Sequence, residues 1–198
     1  KIVAQIVHCG GQSDRRQNGN LLPIAPSAVE SPGYPVIPGA MTEDDIRTVI
    51  ADFAEAARRV RAAGFDGVQL HGAHGYLLAQ FLSPLRNRRT DRYGGSLENR
   101  VRFGLEVCRA VRMAVGTTYP VMIKLNANDF LEGSTTEDDA SVLAAALAAE
   151  GIDAIEVSGG TPGSGKLGAV RPEIREQADE AYFRPQIEAI RRAAPDVP

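Results

Sequence analysis

Four short runs of branched apolar residues, at 2–7, 65–70, 121–125 and 152–157, alternate with longer stretches of helical periodicity. Strand-length Val/Ile-rich runs separated by helices have few folding solutions. They read as βαβ units that build a parallel sheet with helices packed on it. The helical stretches carry their own boundary signals. Thr42 with Asp45 three positions on forms a capping box, after which Ile46, Val49, Ile50, Phe53, Ala57 and Val60 recur at helical spacing until Gly64. Ser96 caps a second helix that carries Val101, Leu105, Cys108 and Val111 and closes near Gly116. Thr136 with Asp139 opens an alanine-rich third that ends at Gly151. A weaker pattern runs from about Glu180 to Ala194, with Ile187 and Ile190 expected inward.

One internal echo sharpens this plan. Ala62-Ala63-Gly64-Phe65-Asp66-Gly67-Val68-Gln69-Leu70 is matched by Ala149-Glu150-Gly151-Ile152-Asp153-Ala154-Ile155-Glu156-Val157, each a helix stopping at glycine, an aspartate turning the chain, then a strand. Successive βα units of this kind suit a (β/α)8 barrel as well as an open α/β sheet. Four strands and four helices are about half of what the ~250 residues of such a barrel contain.

Charge and composition narrow the function classes. Lys and Arg total 22 against 25 for Asp and Glu, a net charge of −3. A nucleic-acid binder is expected to carry a basic excess instead, so none is expected here. Charges interrupt every apolar run, so no membrane partner is expected. The chain opens Lys1-Ile2-Val3 with no signal-peptide pattern. Its two cysteines, Cys9 and Cys108, sit in unrelated contexts. Together these point to a reducing, cytoplasmic compartment.

Polar residues gather where the apolar runs end. His8 follows the first, His71 and His74 the second; Lys124 and Asn126 close the third and Ser158 the fourth. Strand ends converging on one mouth are where barrels place their sites. The phrase His71-Gly72-Ala73-His74-Gly75-Tyr76 offers two imidazoles and a phenol. Such a pair holds an oxygen between two N–H donors, ligates a metal, or merely caps the turn. A His₃ zinc site from His8, His71 and His74 is the metal version, but no carboxylate accompanies it and His-Glu-x-x-His is absent. No metal site is therefore expected.

Lys124 interrupts an apolar run, which calls for an anionic or polar ligand, a Schiff base, or an ion pair with Glu156 on the next strand. Residues 86–93 carry four arginines with Asp91 among them and Glu98 downstream, and read as a loop network satisfying itself. Residues 159–166 follow a strand and are glycine-rich, but lack the spacing of a phosphate loop and read as a mobile loop. Residues 12–41, with five prolines, form a long loop after the first strand.

Three stretches together resemble the old yellow enzyme family of FMN-dependent NAD(P)H:flavin oxidoreductases. Gln5-Ile6-Val7-His8-Cys9-Gly10 is similar to the family's third-strand motif. The second stretch runs from His71-Gly72-Ala73-His74-Gly75-Tyr76-Leu77 through Phe81-Leu82-Ser83-Pro84, Asn87, Arg89-Thr90-Asp91, Tyr93-Gly94-Gly95-Ser96 and Glu98-Asn99-Arg100, and resembles the fourth-strand signature. Val121-Met122-Ile123-Lys124-Leu125 resembles the fifth strand. The resemblance implies strands three to six of an eight-stranded TIM barrel, with residues 1–198 as one partial domain. It implies FMN as cofactor, NAD(P)H as reductant and a small-molecule substrate, an alkene activated by a carbonyl or nitro group. By the same resemblance His71 and His74 bind the activating oxygen and Tyr76 donates the proton. Gln5 meets the flavin pyrimidine edge, and Lys124 sits by flavin N1 and O2.

Gly11 departs from the arginine common in the third-strand motif. Other expectations are a half-barrel that self-associates through exposed sheet edges, or the dienoyl-CoA reductase and trimethylamine dehydrogenase branch, with an iron–sulfur cluster outside this chain.

Overall fold

The computed structural model describes residues 1–16 and 18–198. Four strands make one parallel sheet: β1 (Val3–Ile6), and, after two short strands, β4 (Gly67–Gly72), β5 (Val121–Asn126) and β6 (Ala154–Ser158), in the order β1-β4-β5-β6. The short strands β2 (Ile24–Ala25) and β3 (Gly39–Ala40) pair parallel to each other in the proline-rich loop after β1. Helix α1 (Glu43–Ala62) links that loop to β4. Helices α2 (Leu77–Leu82) and α3 (Leu97–Val115) link β4 to β5, α4 (Glu137–Ala149) links β5 to β6, and α5 (Arg184–Ala193) follows β6.

The helices begin where their side chains satisfy free backbone N–H groups. Thr42 Oγ1 accepts from Asp45 N while Asp45 accepts from Thr42 N, and Thr136 with Asp139 repeats the arrangement at α4. Ser96 Oγ accepts from Asn99 N at the start of α3. Gly64, Gly116 and Gly151, all at positive φ, end the three helices as the sequence predicts.

The two aspartates of the echo do more than turn the chain. Asp66 accepts from the backbone N–H of Ile2, and Asp153 from that of Val121, 2.7 Å each. Each ties the start of one strand to the start of the preceding sheet neighbour, which fixes the stagger between them.

Strand alternation sorts the sheet into two faces. Val68 and Leu70, with Val121, Ile123 and Leu125, are buried against α1 and α3 around Phe53, Phe81, Phe103 and Val111. Full burial of each such side chain stabilises by roughly 1.5–3 kcal/mol. The other face carries Gln5, Gln69, His71, Lys124, Asn126, Glu156 and Ser158, and among the described residues no helix packs across it. Among the described residues no helix is long and apolar enough to cross a membrane.

Several expectations need correction. Phe65 lies in the turn before β4 and is 38% exposed, because the strand begins only after Asp66. Ile190 is buried as expected, but Ile187 is 44% exposed; α5 starts at Arg184, with Pro185 in its first turn, and turns Gln186 inward in its place. Helix α2 carries no periodic signal because all six of its residues are buried. The glycine-rich segment after β6 is a 3-10 segment, Pro162–Leu167, capped by Thr161 and tied down by Ser164 Oγ donating to the Asp129 carbonyl.

Candidate active site

The site grows from the last residues of β4. His71 stands in register beside Lys124, and Lys124 beside Glu156, on three adjacent strands. After His71 the chain turns through Gly72 and Ala73 to His74, whose φ of 58° lies in the left-handed region. A non-glycine residue stays there only when its surroundings insist. Asn126 Oδ1 accepts from the His74 N–H, and Gln12 Nε2 donates to the His74 carbonyl. Gly75 follows at φ 76°, and a Cβ there would stand 2.5 Å from Gln12 Nε2. Tyr76 then stands at the N-terminal boundary of α2, its side chain making no capping bond.

The turn brings three rings together. The His71 and His74 ring centroids are 5.0 Å apart, and those of His71 and Tyr76 4.8 Å apart, both edge to face. His71 Nδ1 accepts from Ala73 N, so the proton of the neutral ring sits on Nε2. His74 Nε2 lies 2.8 Å from Ser158 Oγ. Burial, then the charges of His74 and Lys124, push the His71 pKa down to about 4, against a smaller opposing pull from Glu156. Burial and Lys124 also lower that of His74. Burial raises that of Tyr76, with Tyr34 and Cys9 adding to it. At neutral pH the site therefore offers two neutral imidazoles and a protonated phenol.

Below the rings a hydrogen-bonded chain crosses the open face. Gln5 Nε2 donates to Gln69 Oε1 (2.6 Å), Gln69 Nε2 donates to Glu156 Oε2 (2.9 Å), and Lys124 Nζ pairs with Glu156 Oε1 (2.8 Å). Of the alternatives its sequence context left open, Lys124 makes the ion pair with Glu156. Underneath, Asn126 Nδ2 donates to Asp129 and to the Gly160 carbonyl, and Ser134 Oγ donates to the other Asp129 oxygen, so the mouth rests on a satisfied buried network.

The structure brings together His71, His74 and Tyr76, and places Gln5 and Lys124 on the same inner face. It does not bring in His8. That imidazole accepts from Gly10 N and lines a cleft with Val49, Asp52 and Phe53 of α1, away from the mouth, so the three-histidine set is not assembled. The arginine-rich loop is satisfied from within only at Arg89 and elsewhere draws on other parts of the chain. Arg89 pairs with Asp91 and donates to the Pro26 and Met41 carbonyls, and Arg92 pairs with Glu106. Glu98 takes no part in it and pairs with Arg102 instead. Sequence reasoning missed Gln12 and Gln80, which fasten the first loop to the mouth. Gln80 accepts from Gly11 N and donates to the Gly75 carbonyl. Gln69 had a visible signal, a polar residue inside an apolar run.

Parallel strands wrapped by helices on one face, with polar side chains converging at the strand ends, define an arc of a (β/α) barrel whose site lies at its C-terminal mouth. The chain belongs to the NADH:flavin oxidoreductase / NADH oxidase family, whose model matches residues 1–184.

It is 46% identical over 160 residues to a metal reductase of Desulforamulus reducens, covering 81% of this chain and 24% of that protein. Among solved structures, 2-naphthoyl-CoA reductase in complex with 2-naphthoyl-CoA superimposes with a TM-score of 0.88 at 31% identity, over 99% of this chain and 31% of that one. An old yellow enzyme homologue from Zymomonas mobilis gives a TM-score of 0.74 at 29% identity, over 86% and 55%. The old yellow enzyme resemblance and the partial TIM barrel are thus borne out. The chain spans only 24% to 46% of the length of three curated relatives.

Proposed function

We propose that residues 1–198 are the third to sixth strands of a flavin-dependent (β/α)8 oxidoreductase domain that reduces activated alkenes. The observation that carries this reading is the pair of neutral imidazoles 5.0 Å apart with Tyr76 against one of them, at the mouth of the strands.

The inner face suits FMN. A parallel sheet normally covers both faces with apolar side chains, whereas this one presents the Gln5 and Gln69 amides, the Lys124 ammonium and the Glu156 carboxylate among its polar groups. Gln5 would hold the pyrimidine edge and Lys124 would lie by N1 and O2. FMN held there would supply the hydride chemistry between NAD(P)H and the alkene β-carbon.

This chain's residues do the rest. His71 Nε2–H and the imidazole of His74 donate to the carbonyl or nitro oxygen of a small-molecule substrate. Both donors strengthen as negative charge develops on that oxygen. A Ser158 hydroxyl donating to His74 Nε2 keeps the His74 proton on Nδ1. Tyr76, held protonated by burial, gives its phenolic proton to the α-carbon and regains one from solvent. One hydride and one proton are added across the double bond, and NAD(P)H leaves as NAD(P)+.

Soaking the full-length protein with p-hydroxybenzaldehyde tests this. A long-wavelength charge-transfer band is expected. His71→Ala should weaken phenol binding at least tenfold, the scale of a lost hydrogen bond to a charged oxygen. No band, or equal affinity in the variant, refutes the oxygen-binding pair.

A second reading is favoured by the short coverage of the metal reductase and 2-naphthoyl-CoA reductase chains. In it this arc serves a longer reductase of the dienoyl-CoA reductase type, with an iron–sulfur cluster elsewhere in the protein. Iron and acid-labile sulfide in the full-length protein would favour it, and their lack would remove it.

A further inference from the structure

The two side chains assigned to the flavin's pyrimidine end, Gln5 and Lys124, lie at opposite ends of one hydrogen-bonded chain, and Glu156 is the only charged group between them. Glu156 and Gln69 are also equivalent positions of the internal echo, 87 residues apart. One carboxylate oxygen takes the Lys124 ammonium and the other takes the Gln69 amide, leaving neither oxygen without a partner from the chain. Gln69 passes the constraint on: its Oε1 engages Gln5 Nε2 and turns Gln5 Oε1 free to accept. The Lys124 side chain is 23% exposed and that of Glu156 50%, so the ion pair borders the open inner face.

We propose that Glu156 is a positioning residue that sets how much of the Lys124 charge reaches the flavin, and through it the flavin's reduction potential. The inference rests on the reading of Gln5 and Lys124 as flavin contacts. A reduced flavin gains negative charge at its pyrimidine end, and a nearby cation favours that state. A carboxylate 2.8 Å from the cation opposes it. With Glu156 in place the flavin stays easier to oxidise, which suits passing hydride on to a substrate. With Glu156 neutralised, Lys124 acts unopposed and the potential rises.

Anaerobic dye equilibration of the full-length flavin-loaded protein tests this. Glu156→Gln should shift the oxidised–reduced equilibrium at least tenfold toward reduced flavin, about 30 mV for a two-electron couple. The same substitution in a Lys124→Met background should shift it less than twofold. Glu156→Asp keeps the charge but retracts it by one methylene. It should give a smaller rise of roughly threefold, or about 15 mV, and decides the matter should the Gln variant not fold. If the ion pair between β5 and β6 were purely structural, its loss would lower thermal stability and leave the potential where it was. Flavin-loaded variants with unchanged or lowered potential overturn the role of Glu156 and leave the proposed function standing. A full-length protein that binds no flavin overturns both.

Discussion

His71 is kept neutral by influences that mostly act in one direction. Burial disfavours its charge first, then His74 and Lys124 repel a proton, and only Glu156 attracts one. With a folded pKa of about 4 against 6.5 unfolded, the unfolded chain takes up a proton that the folded ring refuses. The stability due to the neutral ring is thus complete above pH 6.5 and is lost as pH falls toward 4. Urea unfolding at pH 7 and pH 4.5 should differ by roughly 2 kcal/mol more in the unmodified protein than in His71→Asn. Identical pH slopes would show that the ring is not held neutral by the fold.

Tyr76 supports a second test at this scale. In Tyr76→Phe the ring packing against His71 survives and only the O–H is lost. Alkene turnover should fall by about 10²–10⁴-fold, while phenol binding to the histidine pair changes less than about twofold. A variant that binds phenols poorly would place Tyr76 in binding rather than in proton donation.

At the scale of elements, local chemistry was legible and direction was not. Caps and stops are written within four residues of the ends of α1, α3 and α4, so Thr42, Ser96 and Thr136 announce themselves. Strand ends are harder to read. His8 lies two residues past the end of β1, where no ladder partner fixes which face it takes, and it turned toward α1. His71 lies inside the β4–β5 ladder and its face was set. Helix α2 hid because a fully buried helix has no polar stripe to reveal its period. The supports of the His74 turn were equally invisible, since Gln12 and Asn126 reach it from distant parts of the chain.

The α4 capping box makes a further prediction. Asp139 caps Thr136 and also pairs with Arg100, whose side chain is 9% exposed. Thr136→Ala removes a cap alone and should cost about 1 kcal/mol. Asp139→Ala also strands a buried guanidinium and should cost about 3–5 kcal/mol. Denaturant melts giving equal losses would mean the ion pair contributes nothing beyond the cap.

For the whole molecule, the sheet has one face packed and one face open. Both outer strands, β1 and β6, lie at edges with no strand partner among the described residues; on the β6 edge only Ile155 N is engaged, donating to the Pro198 carbonyl. The alternation that buries Leu70 and Ile123 on the helical side turns Gln69, Lys124 and Glu156 to the other side, so that face is polar. The edges are a different matter, because unpaired N–H and C=O groups are a template for a further strand. Apolar side chains stand beside them: Val3 is 41% and Val7 47% exposed on one side, and Ile155 and Val157 line a cleft with Ile190 and Val197 on the other. Placed in solution by itself, the 198-residue chain should therefore associate through its edges. Sedimentation should show species above 21.1 kDa whose fraction grows with concentration. Lysine placed at Val3 and at Val157 should return it toward the monomer, since edge charges block strand addition. A chain that stays monomeric at every concentration would mean that twist and the loops at its ends already guard those edges.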